Sequence, residues 1–355
     1  MTSRVRSFVA ALIIGCSAVG LSSEPARAGP VILLEAASGR VLYSAEQDHQ
    51  WFPASITKIM TAYLTFDAVK SGRLKLTDTL EVSEKAHEQV PSKIGLPVGN
   101  AIPVDVAIRA LVVKSANDVA IMLAEKIGGS EEGFVQLMND TARRLGMTRT
   151  HFVNPHGLPV PGQISTARDL ARLARAALRD FPEHDAVWSL SEFHLGDQRL
   201  RSHNALLRSF EGADGIKTGF ICDSGFNVVA SATRDGKRLI AVVLGEPSGD
   251  DRNMRAASLL NHGFETAAWK ARFGAPTIDT MPIDPAAEGV RSVRASVLAW
   301  NCNGKTAARK IAKRKPRSNK AKKVPQARST AASADQAKGK SKSSSAAKAP
   351  ATTKQ

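Results

Sequence analysis

The sequence predicts an α+β fold in which helical segments precede an antiparallel sheet, and two observations carry this reading. After Pro53, residues Ile56, Ile59, Met60, Tyr63 and Leu64 recur at helical spacing, and further helical runs follow at 104–113 and 118–127. Later, a strand-like run at 226–233 is joined through Asp235-Gly236 to a second at 238–244, the pattern of a tight antiparallel hairpin.

The first helix opens at Phe52-Pro53-Ala54-Ser55-Ile56-Thr57-Lys58. Proline cannot sit inside a helix but suits its entry. Ser55 therefore falls at or next to the N-terminus, where free backbone N–H groups and the helix dipole favour negative charge. Lys58 lies one turn later on the same side, so its amine can reach the Ser55 hydroxyl. One face of this helix is expected to be buried. A serine N-cap followed by a surface lysine fits the same residues, but a lysine on an otherwise apolar face favours chemistry.

Lys114-Ser115-Ala116-Asn117 stands at the junction of the next two helices, from which side chains can point into a cleft. A simple helix cap is the plainer reading. Asp214-Gly215-Ile216-Lys217-Thr218-Gly219-Phe220 precedes the hairpin and is expected on an edge strand of the sheet. Gly219, lacking a side chain, would let a substrate backbone approach closely. A polar edge strand with a solvated lysine is the alternative there.

In order, the three motifs are Ser55-Ile56-Thr57-Lys58, Ser115-Ala116-Asn117 and Lys217-Thr218-Gly219. They supply a hydroxyl nucleophile, two ammonium groups, a second serine and an amide. That is the working set of an acyl transferase with an active-site serine and a lysine base. Each motif alone is weak. S-x-x-K recurs at Ser345-Ala346-Ala347-Lys348, and S-x-N recurs at Ser202-His203-Asn204.

Longer stretches add specificity: Gly39-Arg40-Val41-Leu42, Phe152-Val153-Asn154-Pro155-His156-Gly157-Leu158-Pro159, and Ser165-Thr166-Ala167-Arg168-Asp169-Leu170-Ala171. With these, residues 31–264 resemble the low-molecular-mass penicillin-binding serine D-alanyl-D-alanine carboxypeptidases. The resemblance implies a β-lactamase/transpeptidase-like fold: an antiparallel sheet with flanking helices, a helical lobe, and the active site between. It implies that Ser55 attacks the carbonyl between two D-alanines, that Lys58 takes its proton, and that Ser115 relays a proton to the leaving amine. By the same resemblance Asn117 holds the substrate backbone, while Lys217 and Thr218 bind the free carboxylate. The N–H groups of Ser55 and Phe220 would meet the oxyanion beside Gly219. Arg252 would lie near the carboxylate subsite, although the acidic residue that often follows is replaced by Ala256-Ala257. The implied ligands are peptidoglycan stem peptides and, as inhibitors, β-lactams, with no cofactor and no metal. A lysine acts as a base only if desolvation or a nearby cation lowers its pKa, and Lys217 could be that cation.

Three relatives of this chemistry compete. A serine β-lactamase needs a deacylating base, usually in an E-x-x-L-N loop, and none is present. A D,D-endopeptidase acting on peptidoglycan cross-links remains open. A zinc peptidase lacks its H-E-x-x-H, and His151 and His156 read as a chance pair. An idle wall-binding module would not need Ser55, Lys58 and Lys217 together.

Residues 1–28 read as an export signal: Arg4 and Arg6, an apolar core at 8–21, then Ala26-Arg27-Ala28. Cys16, after Ile13-Ile14-Gly15, loosely resembles a lipoprotein box. The expected place is the periplasm or cell envelope, which argues against a nucleic-acid partner. The expected organisation is a catalytic domain at 29–270, a short extension at 271–303 and a basic tail at 304–355. Between Gly274 and Asn303 there are too few residues for an independent domain. The tail holds sixteen Lys or Arg against Asp335 alone, +15 of the chain's +16. Its Ala, Ser, Thr and Pro cannot build a core, so it is expected to be disordered. It reads either as a linker or as an electrostatic tether to anionic membrane or wall. Cys222 and Cys302 form an exported even pair, which permits a disulfide or two free thiols.

Overall fold

The computed structural model describes residues 29–287, 289–298 and 302; the segment read as an export signal, Cys16, the second S-x-x-K and the basic tail lie outside them. The chain divides into units Met1–Lys310 and Ile311–Gln355, and every described residue belongs to the first.

Strands β1 (Val31–Glu35) and β2 (Val41–Ala45) open the chain, and a 3₁₀ turn, Ala54–Thr57, leads into helix α1 (Lys58–Lys70). A small ribbon of β3 (Thr79–Glu81) and β4 (Ala101–Pro103) encloses the short α2 (Glu84–His87). Helices α3 (Val104–Arg109), α4 (Asn117–Gly128), α5 (Glu131–Arg144) and α6 (Ala167–Asp180) follow. A second ribbon, β5 (Glu192–Leu195) and β6 (Gln198–Arg201), and the short α7 (Leu206–Ser209) precede β7 (Ala213–Ile221), β8 (Gly225–Arg234), β9 (Lys237–Glu246) and α8 (Gly249–Arg272).

The main sheet has five antiparallel strands in the order β2-β1-β9-β8-β7. This is the expected α+β architecture, with Lys217 on the edge strand. Asp235 and Gly236, at φ +48° and +73°, make the tight β8–β9 turn that the dipeptide predicts. The central strands are covered on both faces, so they read as apolar runs rather than alternating ones. Period-two geometry sends Val31, Leu33, Leu239, Ala241 and Val243 to one side, where Ala256 and Leu260 of α8 pack. Ile32, Leu34, Ile240, Val242 and Leu244 face the other side, the core shared with α1, α4 and α6.

Helix α1 departs from the expectation of one buried face. Every residue from Lys58 to Phe66 is buried, because α4, α5, α6 and the segment Ala110–Lys114 pack around α1. A helix covered all round has no amphipathic stripe to read. The expected helix at 104–113 also changes character. It is α-helical to Arg109, then widens into a π-helical stretch, Ala110–Lys114. Such widened turns recur at functional sites.

The extension after α8 is held to the body by specific contacts. Val41 N–H donates to Pro276 O at 2.9 Å and Ile278 N–H to Gly39 O at 2.8 Å. Arg168, buried, forms a bidentate pair with Asp48 at 2.6 and 2.9 Å and donates to the carbonyls of Ile278, Met281 and Pro282. Ile278 and Val297 are buried.

Candidate active site

The turn that carries Ser55 stands against edge strand β7. Pro53 O accepts the Ile56 N–H at 3.2 Å, and Ala54 holds φ +50°, a left-handed conformation unfavourable for a residue with a side chain. Lys58, the first residue of α1, is 1% exposed. Its Nζ donates to Ser55 Oγ at 3.1 Å, to Asn117 Oδ1 at 2.8 Å and to the His156 carbonyl at 2.7 Å. Three acceptors aim one amine at the serine. Burial drives the Lys58 pKa well below the usual lysine value and the Lys217 charge lowers it further, while Asp118 opposes.

The π-helical stretch ends at Ser115 in the left-handed region, φ +62°, which turns the chain before α4. Asn117 is buried and its amide is engaged at both ends: Oδ1 accepts from Lys58, and Nδ2 donates to Val90 O at 2.8 Å. Asp118, beside it, accepts the N–H groups of Ile94 and Gly95. The segment 90–95 is thereby pinned over the cleft, with Asn117 N–H to Ser92 O at 2.7 Å and Ser92 Oγ to Lys114 O at 2.7 Å.

On the opposite wall, Lys217, Thr218 and Gly219 pair with Val229, Val228 and Asn227 of β8. Lys217 is buried with Nζ donating to Thr218 O at 3.1 Å. A Cβ on Gly219 would stand 3.1 Å from the Ser55 nitrogen and 2.8 Å from Pro53 O, so the strand passes the Ser55 turn at backbone contact. Phe220 follows, at the mouth of the cleft.

Arg252 comes from the first turn of α8, whose start is capped by Ser248 Oγ accepting the Asp251 N–H at 3.1 Å. Its Nη2 donates to the carbonyl of His203 at 3.2 Å. Burial, then Arg252, pushes the Lys217 pKa down to about 7. Burial lowers Arg252 itself to about 10, and burial with Lys217, Lys114 and Arg252 lowers His203 to about 4.

Together these walls enclose a cleft of about 390 Å³. Ser55, Ser115, Asn117, Thr218, Gly219, Phe220 and Arg252 line it, above the buried ammonium groups of Lys58 and Lys217. Every site residue named from the sequence is therefore brought to one place. The lining carries the hydroxyls of Ser55, Ser92, Ser115 and Thr218, the guanidinium of Arg252 and, among the described residues, no carboxylate.

Pro91, Ser92, Leu158, His203, Ile221 and Phe226 also line the cleft, and the sequence reading did not place them there. The signal for His203 was present in Ser202-His203-Asn204, read as a chance copy of S-x-N. His156 acts on Lys58 through its backbone carbonyl, a role no side-chain pattern reveals. Its ring is buried and its pKa is lowered to about 3 by burial and the Lys58 charge.

Cys222 and Cys302 are disulfide-bonded. The bridge ties the extension to the β7–β8 turn, next to Phe220 and Ile221 of the cleft. Asp223 in that turn also accepts Ser292 Oγ at 2.8 Å and Arg294 Nη2 at 2.6 Å.

Comparison with known proteins places this geometry in a family. The D-alanyl-D-alanine carboxypeptidase family profile matches residues 18–248. D-alanyl-D-alanine carboxypeptidase DacC of Escherichia coli is 40% identical over 240 residues, 66% of this chain and 60% of that protein. DacA of Haemophilus influenzae is 35% identical over 267 residues, 73% of this chain and 68% of that protein. The chain thus spans under two thirds of the length of the Escherichia coli relative. Among solved structures, penicillin-binding protein 5 of Haemophilus influenzae superposes with a TM-score of 0.65 at 35% identity, covering 67% of this chain and 71% of that one. Penicillin-binding protein D2 of Listeria monocytogenes, solved with cefotaxime bound, gives 0.61 at 31% identity, covering 67% of this chain and 97% of that one. On the family match, the shared fold and the extent of identity, the chain belongs to the D-alanyl-D-alanine carboxypeptidase family.

Proposed function

We propose that the protein removes the terminal D-alanine from peptidoglycan stem pentapeptides through an acyl-enzyme on Ser55. The observation that carries this is the Lys58 amine, 3.1 Å from Ser55 Oγ, buried and with its pKa driven down, so that it can be a free base. Ser55 Oγ attacks the penultimate D-alanine carbonyl and its proton passes to Lys58. The backbone N–H groups of Ser55 and Phe220 receive the oxyanion; losing one such donor costs about 3–4 kcal/mol of barrier. The C–N bond breaks, and the leaving amine takes a proton through Ser115. Water then hydrolyses the ester. Asn117 orients Lys58 and has a second N–H free for the substrate backbone. Lys217, Thr218 and Arg252 form the cationic, hydroxylic end of the cleft and receive the free carboxylate. β-Lactams enter as substrate mimics that acylate Ser55, in keeping with the cefotaxime complex of the Listeria relative. A cleft lined without a carboxylate supplies no strong deacylating base, which disfavours a β-lactamase.

We place the enzyme outside the cytoplasm on the export signal read at 1–28, with the basic tail as an electrostatic tether. Among the described residues no helix is long and apolar enough to cross a membrane. Fluorescent penicillin should label the protein, and Ser55→Ala should abolish labelling without unfolding it. Lys58→Ala should stop acylation by every substrate, whereas Lys217→Ala should chiefly impair those with a free carboxylate. Mass spectrometry of wall fragments after incubation decides the reaction: loss of one alanine from pentapeptides supports the carboxypeptidase, and severed cross-links in its place would support an endopeptidase.

A further inference from the structure

Helix α8 carries the cleft at one end and an unexplained aromatic pair at the other. Trp269 in its last turn and Phe273, the residue that caps it, are 59% and 64% exposed, with ring centroids 4.9 Å apart. At 3.6 residues per turn, Lys270 and Arg272 fall on either side of this stripe. Glu265, a turn behind, is the acidic residue of 263–273.

We propose that this end of α8 docks on the surface of an anionic phospholipid bilayer. The inference stands apart from the catalytic reading and adds an apolar contact to the tether reading of the tail. Two other occupants fit poorly. The basic tail has hardly any large apolar residue to lay on two rings. Two facing copies would bury roughly 500 Å² of ring surface at the observed exposure, well short of the ~1,200 Å² of a specific protein interface. A bilayer surface matches instead. Tryptophan settles at the headgroup level, phenylalanine enters the acyl boundary, and flanking Lys and Arg reach lipid phosphates along their apolar stems. Gly249 and Arg252, at the opposite end of α8, line the cleft. Trp269 lies about 25 Å farther along the axis at 1.5 Å per residue. The docking residues are therefore separate from those that line the cleft.

The test uses the full chain with phosphatidylglycerol–phosphatidylcholine vesicles at low salt and at 1 M salt, where the tail's charges are screened within about 3 Å. A salt-resistant fraction should remain bound, and Trp269→Ser with Phe273→Ser should lower that fraction roughly tenfold or more. Unchanged circular dichroism melting would establish that the variant is folded, and the single variant Phe273→Ser, expected to show a partial loss, serves if it is not. Brominated lipids should quench tryptophan emission in the wild type, and Trp269→Phe should remove the quenching while retaining binding. The proposal is overturned if the wild type leaves the vesicles completely at 1 M salt, if the serine variants bind as the wild type does, or if quenching persists in Trp269→Phe. Complete release by salt would leave the tail tether standing alone; no binding even at low salt would remove both.

Discussion

Replacing Gly157 by alanine tests how Ser55 and Lys58, the proposed nucleophile and base, are held together. Gly157 has φ +84°, and a Cβ there would stand 1.8 Å from Ala54 O, 2.3 Å from Ala54 C and 2.9 Å from Thr57 Oγ1. Ordinary contact begins near 3.4 Å, so one of two backbone segments must move by more than an ångström. Both carry reactive parts. One is the Ala54-Ser55 turn itself. The other presents the His156 carbonyl to Lys58 at 2.7 Å and is locked by Asn154 Oδ1 on the Gly157 N–H, also at 2.7 Å. The left-handed backbone costs an alanine about 1–2 kcal/mol and the overpacking about 1–3 kcal/mol, so stability should fall by roughly 2–5 kcal/mol. A misplacement near 1 Å at the reacting atoms costs on the order of 100-fold in rate. Gly72→Ala is the control: its φ is +74° with nothing within 4 Å, so it bears the backbone penalty without the clash. Stopped-flow acylation by a fluorescent penicillin, beside thermal melting, reads both effects. Gly157→Ala should lose about two orders of magnitude in acylation rate while Gly72→Ala loses none. An acylation rate for folded Gly157→Ala within a few-fold of wild type would refute the argument that this contact sets the nucleophile.

Three further outcomes follow from buried charge and from the extension. Lys217, with its pKa near 7 in the folded protein against 10.5 unfolded, binds fewer protons folded than unfolded across that window. Stability therefore rises with pH from about 7 to 10.5, and the burial cost, a few kcal/mol, is fully present below pH 7. Lys217→Met should be the more stable protein at pH 7, with the gap closing toward pH 10 in urea titrations; a gap constant with pH would contradict the assignment. Removing the Cys222–Cys302 bridge, which spans 80 residues of sequence, by Cys302→Ser should cost about 4 kcal/mol on the loop-entropy argument and lower the melting temperature. Asp48→Ala leaves the Arg168 guanidinium buried without its carboxylate and should destabilise by about 3–5 kcal/mol, with hydrogen exchange rising first over 278–284.

Much of this molecule is legible in the chain because the information is local. Pro53 marks the entry to α1, the three-residue step from Ser55 to Lys58 puts amine and hydroxyl within reach, and Asp235-Gly236 dictates the β8–β9 hairpin. Where the reading fell short, the cause is non-local. The helix α1 is buried all round because α4, α5, α6 and the segment Ala110–Lys114 close around it, and spacing along one segment does not report that. His203 reaches the cleft only because its loop crosses in front of β7, and its carbonyl rather than its ring holds Arg252. His156 likewise serves Lys58 through a backbone oxygen that every residue type possesses.

The sequence alone determined the residue types of the chemistry, their order, the α+β class and the near-neutral body with its basic tail, since these follow from neighbours in the chain. Tertiary structure decided what the residues become. Lys58 and Lys217 lose ordinary lysine character because distant elements bury them and set them beside like charge. Asn117 spends its amide on a lysine 59 positions earlier. Cys222 finds Cys302 because the extension returns to the β7–β8 turn. Desolvation and charge–charge interaction depend on what surrounds a group in space, and that is settled only when the chain has folded.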